Sequence, residues 1–291
     1  MFHLRGVQRN IQNIVLFCQQ EAAGERFRTR RELKAAYNRA LSGFQPSFTV
    51  TDRPEPEWVT EVAEAARLAG LYKSEGGLFP LNDEVIAAAS LRRDPEKVAR
   101  RVALADEAMA LIRSGNPSLA GLFDLAINRL FFFDLDASGG GSSGNAVGVI
   151  WANPKVHWRV TDVAEFLVHE LTHNLLFLEE AVHGLFQDPQ AMQDQKYYAR
   201  SAILRIPRRI DLCIHSLLVG VELLLARRQW LGHDQQTLAH PPSPRLLVDC
   251  RACLDSIYAV AGHDKLLSAN GRDLLFRVGR TLTELAGPLA A

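Results

Sequence analysis

Residues 162–177 read DVAEFLVHELTHNLLF, and their apolar side chains recur with the 3.6-residue spacing of an α-helix. Asp162 and Glu165 have the spacing of an N-terminal capping box, which indicates that the helix begins there. Upstream, the apolar run 147–151 before Asn153-Pro154 predicts a short strand that leads into this helix. The HELTH run at residues 169–173 is therefore expected inside a helix.

HELTH is an HExxH motif, in which His169 and His173 are separated by four residues. Because residues four apart lie one turn apart on the same helix face, both imidazoles can bind one metal ion. Glu170 points to the neighbouring face, where the equivalent glutamate of zincins acts as general base on a metal-bound water, so Glu170 is the candidate catalytic residue. The alternative is a non-functional helix with two partly buried histidines and an exposed Glu170.

A third protein ligand has to come from elsewhere in the chain. Glu179 follows His173 by six residues, which is the spacing of the third ligand in metzincins. That pattern requires a helix-breaking glycine where this chain has Leu176. Glu179 is therefore excluded as a ligand.

A second helix, predicted over residues 210–228, offers better candidates. It carries Asp211, His215 and Glu222 on one stripe among apolar residues. Buried polar side chains at such positions need partners, and a vacant coordination position would provide one. We expect His215 to be the third metal ligand, with Glu222 as the alternative.

The remainder of the chain predicts a mainly α fold with a short β element before the HExxH helix. Two organisations fit: a single mostly helical domain, or a helical N-terminal region (residues 1–135) followed by a metal-binding helical core (residues 136–291). In the N-terminal region, helical periodicity is found near residues 30–42, 57–70, 82–92, 95–114 and 117–130. The glycine-rich stretch 139–144 is predicted to be a loop, and two further helices are expected after the prolines at 241–244.

Composition sets the expected partners and compartment. Lys plus Arg (33) equals Asp plus Glu (33), so no net charge favours binding to nucleic acid or to an anionic membrane. Four cysteines are too few for a disulfide framework in 291 residues, which favours a reducing cytoplasm. The N-terminal residues lack the unbroken apolar stretch of a signal peptide, and the apolar run 212–226 is too short to span a bilayer.

Residues 148–228 resemble the HExxH-type 2-oxoglutarate-dependent hydroxylases, some of which are associated with peptide natural products. The resemblance rests on GVIWANP (148–154), VHELTHNLLF (168–177) and SAILRIPRRIDLCIHSLLVGVELL (201–224). It implies Fe(II) held by His169, His173 and His215, with open positions for 2-oxoglutarate and O2. It also implies that an arginine binds a carboxylate of the cosubstrate, and the candidates are Arg205, Arg208 and Arg209.

Three functions follow as hypotheses. The first is an Fe(II)/2-oxoglutarate-dependent hydroxylase of an amino acid, a peptide or a related small molecule. The second is a zinc metallopeptidase with Glu170 as general base and Glu222 as third ligand. The third is a non-enzymatic helical binding protein in which HELTH has no chemical role.

Overall fold

The computed structural model describes residues 1–21, 26–45, 53–72, 82–134 and 139–289. The fold is mainly α-helical with a small amount of sheet, which confirms the predicted fold class. The helices are α1 (Phe2–Arg5), α2 (Val7–Glu21), α3 (Arg30–Phe44), α4 (Val62–Gly70), α5 (Asp83–Leu91), α6 (Pro95–Gly115), α7 (Pro117–Ala126), α8 (Val160–His183), α9 (Ile210–Ala226), α10 (Ser243–Ala259), α11 (His263–Leu266) and α12 (Ala269–Leu289).

The strands form two sheets. The strands are β1 (Glu57–Val59), β2 (Arg129–Phe132), β3 (Gly140–Gly141), β4 (Val149–Ala152), β5 (Tyr198–Arg200) and β6 (Pro207–Arg209). The first sheet has the order β1-β2-β4-β3, in which β1, β2 and β4 are parallel and β3 is an antiparallel edge strand. β5 and β6 form a separate antiparallel pair.

The chain divides into two compact units, one of residues 11–174 and one of residues 1–10 with 175–291. The first sheet belongs to the unit of residues 11–174, which we call the sheet unit. The second unit contains α9, α10 and α12 and is called the helical unit. The predicted boundary between residues 135 and 136 lies outside the described residues.

Two of the segments predicted as helices each contain part of a strand. The helix expected near 57–70 begins only after Glu61, whose carboxylate accepts hydrogen bonds from the backbone of Ala63 and Glu64, and β1 precedes it. The helix expected near 117–130 ends at Ala126, and the next apolar run forms β2. All four residues of β2 are buried, as in a parallel strand covered on both faces, and such a run has no alternation that separates it from a helix.

The HELTH helix α8 also begins earlier than its predicted cap. Asp162 lies in the first turn rather than at the N-cap, because the helix starts at Val160. The Asp162 carboxylate instead accepts a hydrogen bond of 2.9 Å from the backbone N–H of Arg159. This contact is the reciprocal half of a capping box, in which an acidic residue at the third helical position satisfies the residue before the helix.

The glycine-rich stretch 139–144, predicted to be a loop, contributes strand β3. Gly140 pairs with Ala152 of β4 at a φ of +142°. A side chain on Gly140 would overlap the carbonyl oxygen of Trp151 and the ring of Phe166 in α8. Glycine therefore allows the edge strand to pack directly against the helix that carries HELTH.

The core of the helical unit is built around α9, whose residues from Ser216 to Ala226 are all buried. Gly220 allows α10 to approach closely, because a side chain there would collide with the sulfur of Cys250. Cys250 and Cys253 are buried free thiols in α10, so this CxxC pair belongs to the apolar core. No helix in the described ranges combines the length and apolarity needed to span a bilayer.

Candidate metal centre

His169 and His173 are partly buried and share one face of α8. The three residues between them, Glu170, Leu171 and Thr172, are all buried. The two imidazoles are directed at the same point, with their Nε2 atoms 3.2 Å apart. Nitrogens 3.2 Å apart can each lie about 2.05 Å from one ion at an N–metal–N angle of roughly 100°, between the octahedral and tetrahedral angles. The pair therefore fits two ligands of a single metal ion.

Glu170 is buried beside this pair, with 3% of its surface exposed. Its Oε1 lies 3.8 Å from Nε2 of His169, and its Oε2 has no hydrogen-bond partner among the described residues. Burial raises the pKa of Glu170 to about 8, against a smaller opposing effect of a hydrogen bond from Ser142. The non-functional alternative predicted an exposed Glu170, and that prediction is wrong. A buried carboxylate without a full set of partners lowers stability, so its presence calls for a functional explanation.

A hydrogen-bonded bracket, which sequence reasoning missed, holds the HELTH turn against the glycine-rich stretch. Asn174 donates to Oγ of Ser142 at 3.0 Å and to the carbonyl of Glu170 at 2.9 Å, and it accepts from the N–H of Gly148 at 2.7 Å. An Asn directly before the apolar residues 175–178 of α8 was the available signal. Its partners are 26 and 32 residues away, which no local pattern shows.

Glu179 has another role, as expected from its exclusion. Helix α8 continues past it to His183, and the side chain is fully buried. Its carboxylate accepts from Asn270 at 2.9 Å and lies 3.3 Å from Arg9. A second arginine, Arg5, lies 3.7 Å away, so two cations already balance the charge of this carboxylate.

Glu222 is likewise engaged within the helical unit. Its carboxylate accepts hydrogen bonds of 2.9 Å from the backbone N–H groups of His3 and Leu4 and forms an ion pair with the amino group of Met1. Burial alone would raise the pKa of Glu222, but these positive and N–H partners lower it overall. A carboxylate with this many partners is poorly suited to bind a metal as well.

His215 has different surroundings from the other polar residues of α9. It is partly buried, and its ring packs against Phe177 with the centroids 5.3 Å apart. Burial lowers the pKa of His215 to about 4, so the imidazole is neutral at pH 7, which is the form that binds metals. Asp211, the third member of the predicted stripe, pairs instead with Arg209 at 2.7 Å.

The three candidate arginines differ in their freedom to bind a carboxylate. Arg209 is occupied by Asp211 and also donates to Gln193 at 2.9 Å. Arg205 is exposed and has a φ of +61° in the turn before β6. Arg208 is half-buried in β6, where the charge of Asp211 acts on its guanidinium without forming a salt bridge among the described residues.

No group of three or more His, Cys, Asp and Glu side chains in the described ranges is arranged to hold a metal ion. The arrangement at hand is thus a two-histidine pair beside a buried carboxylate, which can bind a metal and place an oxygen acceptor or proton donor next to it. No protein-family model matches the sequence, and no curated protein is significantly similar to it.

Proposed function

We propose that this protein is a metal-dependent enzyme centred on HELTH, and that it is an Fe(II)/2-oxoglutarate-dependent hydroxylase of an amino acid, a peptide or a related small molecule. The observation that carries the proposal is the 3.2 Å separation of the Nε2 atoms of His169 and His173. Two histidines one helix turn apart can adopt many rotamers, and most of them do not direct both nitrogens at one point. The convergence supports a shared ion.

In this proposal His215 completes a three-histidine set. Two observations support it over the carboxylates: its imidazole is neutral at pH 7, and Glu179 and Glu222 are both fully engaged with cationic or N–H partners. Three neutral imidazoles leave the charge of the ion available to anionic ligands such as a 2-oxo acid.

Arg208 is the arginine that we assign to the cosubstrate. A guanidinium offers two parallel N–H donors to a carboxylate, and Arg208 is half-buried and forms no salt bridge among the described residues. Arg209 would first have to leave Asp211. When bound, iron and 2-oxoglutarate would supply the oxidation of a substrate C–H bond by O2, with conversion of 2-oxoglutarate to succinate and CO2.

The test is cosubstrate turnover by protein loaded with Fe(II) under anaerobic conditions. We expect saturable binding of 2-oxoglutarate and, after O2 is admitted with free amino acids or short peptides, formation of succinate. An Arg208→Gln variant should bind 2-oxoglutarate about tenfold or more weakly, whereas Arg251→Gln, a change on α10, should not. Iron-loaded protein that neither binds nor consumes 2-oxoglutarate would refute the hydroxylase.

Replacement of His215 by Ala is predicted to weaken metal binding by roughly 100-fold or more, because it removes one of three proposed ligands. The measurement is metal content after equilibration with a competing chelator. His263→Ala is the matched control, since His263 also lies in the helical unit and packs on an aromatic ring, that of Tyr258 at 5.4 Å. Unchanged affinity in the His215 variant would remove it from the ligand set.

A zinc metallopeptidase is the second candidate, and Glu170 is the observation that favours it. A buried carboxylate 3.8 Å from a ligand nitrogen is placed to take a proton from a metal-bound water. The engagement of Glu222 weighs against the gluzincin form of this hypothesis.

Glu170→Gln separates the two functions. The variant keeps the size of the buried side chain and removes its ability to take up a proton, so we expect it to fold and to retain metal. In a peptidase, loss of the general base should lower the rate of zinc-dependent peptide cleavage by about 100-fold or more, whereas a hydroxylase should retain part of its succinate formation. Zinc-dependent cleavage that survives the change would exclude Glu170 as the base.

A further inference from the structure

The sheet unit contains a concave site that shares no residue with HELTH. It is a cavity of about 200 Å³ lined by the beginning of α6 and the segment after β4. Its lining residues are Asp94, Lys97, Arg100, Arg101, Leu104, Pro154, Lys155 and Val156. Four of these side chains are cationic and one is acidic, in a chain whose overall charge is balanced.

The carboxylates near the cavity already have hydrogen-bond or ion-pair partners. Asp94 is the N-cap of α6, and its carboxylate accepts from the backbone N–H groups of Glu96 and Lys97. Glu96 lies 3.4 Å from Arg100, but both side chains are more than 70% exposed, so this pair contributes little. Lys97 and Arg100 also lie in the first two turns of α6, where the helix dipole adds further positive potential.

Arg101 provides the observation that points to a ligand. It is 8% exposed; its Nε donates to the carbonyl of Pro154 at 3.2 Å, and its Nη2 donates to Asp134 at 3.1 Å. Its remaining nitrogen, Nη1, is buried and has no hydrogen-bond partner among the described residues. A buried guanidinium N–H without an acceptor is costly, and an oxyanion in the cavity would satisfy it.

The place in the fold is also one that ligands use. Asp134 and Pro154 each follow the carboxyl end of a parallel strand, β2 and β4 respectively, by two residues. In sheets of this kind, ligands bind in the crevice beyond the carboxyl ends of the strands. Leu104 and Val156, which is 77% exposed, add an apolar wall to the basic one.

We propose that this cavity binds a small phosphate monoester, with the phosphate held by Arg101, Lys97, Arg100 and Lys155 and a short organic group against Leu104 and Val156. Asp94 and Asp134, the partner of Arg101, offset two of the four cations, and the remaining excess of two positive charges favours a dianionic phosphate over a single carboxylate. The small volume excludes a large ligand such as a dinucleotide.

Calorimetric titration at constant ionic strength tests the site with inorganic phosphate, glycerol 3-phosphate, glycerol and succinate. We expect saturable binding of glycerol 3-phosphate, weaker binding of inorganic phosphate, and no binding of glycerol. The double variant Lys97→Gln/Arg100→Gln changes two exposed side chains and should therefore fold, yet it should weaken phosphate binding about tenfold or more. Arg280→Gln is the control, because Arg280 is as exposed as Arg100 and likewise faces a glutamate one helix turn away.

Arg101→Lys provides a second variant. It keeps the charge but loses the fork of nitrogens that bonds Asp134 and Pro154 and leaves a third nitrogen for a ligand, so phosphate binding should fall while circular dichroism confirms the fold. The proposal is overturned if the unmodified protein shows no saturable phosphate binding, or if binding is unchanged in the Lys97→Gln/Arg100→Gln variant. Succinate that competes with glycerol 3-phosphate for the same site with equal affinity would overturn the assignment to phosphates.

Discussion

Replacement of His169 and His173 together by Ala should abolish stoichiometric metal binding. The two Nε2 atoms converge at 3.2 Å, so both rings would contribute to one ion rather than to two sites. Loss of one ligand should weaken binding by roughly 100- to 1000-fold, and loss of both should leave His215 alone, which cannot hold the ion against a chelator. Metal content after reconstitution with Fe(II) or Zn(II) and removal of loosely bound metal is the measurement.

The control for this double variant is His157→Ala. His157 lies in the same sheet unit, is exposed, and belongs to neither the HELTH pair nor the phosphate cavity. It should keep full metal content, which shows that metal is lost through removal of the site and not through removal of any histidine. If the double variant retains one equivalent of metal, the HELTH helix is not the metal centre, and both enzymatic proposals fall with it.

The helices with strong apolar periodicity could be predicted from the sequence. α3, α5 and α6 appear within a few residues of their expected ranges, and α9 begins at the predicted Ile210. Local spacing determines such helices, because a 3.6-residue repeat presents one face to the core wherever that core lies. Helix ends were less predictable, since Asp162 serves as the third residue of α8 instead of its cap.

The sheet could not be predicted in the same way. β1 lies within a segment predicted as a helix, and β2 overlaps the end of another. The register that pairs Glu57 with Arg129 and Arg129 with Val149 joins positions 72 and 20 residues apart. Buried parallel strands lack the alternation that identifies an exposed strand. Only the strand closest to HELTH, β4, was bounded by an Asn-Pro turn signal and so could be recognised.

In the candidate site, too, the local features could be predicted from the sequence and the long-range contacts could not. The placement of His169 and His173 on one helix face follows from helix geometry and was predictable, but the rotamers that direct both Nε2 atoms at one point were not. The bracket of Asn174 and Ser142 depends on a contact across 32 residues and was not. Glu222 was predicted as a possible ligand because a buried carboxylate needs partners; its real partners lie 218 and 219 residues away in the chain, where no spacing rule could find them.

Glu222→Gln is predicted to lower the free energy of unfolding by about 3–5 kcal/mol. The carboxylate is fully buried and is the acceptor for the backbone N–H groups of His3 and Leu4 and the partner of the Met1 amino group. An amide of the same shape leaves a buried ammonium without its counter-charge and replaces an acceptor oxygen by a second donor. Urea unfolding at pH 7 measures the loss, and metal content per folded molecule should not change.

The dependence on pH identifies the charge as the cause. The folded-state pKa of Glu222 lies below its ordinary value, so its contribution to stability is present above about pH 4.3 and is lost as the pH falls through the folded-state pKa. Between pH 6 and pH 3 the unmodified protein should therefore lose more stability than Glu222→Gln does. Glu284→Gln, at an exposed position of α12, should change stability by less than about 0.5 kcal/mol at either pH. Equal stability of the Glu222 variant and the unmodified protein, or loss of metal from the folded variant, would contradict this role and return Glu222 to the metal site.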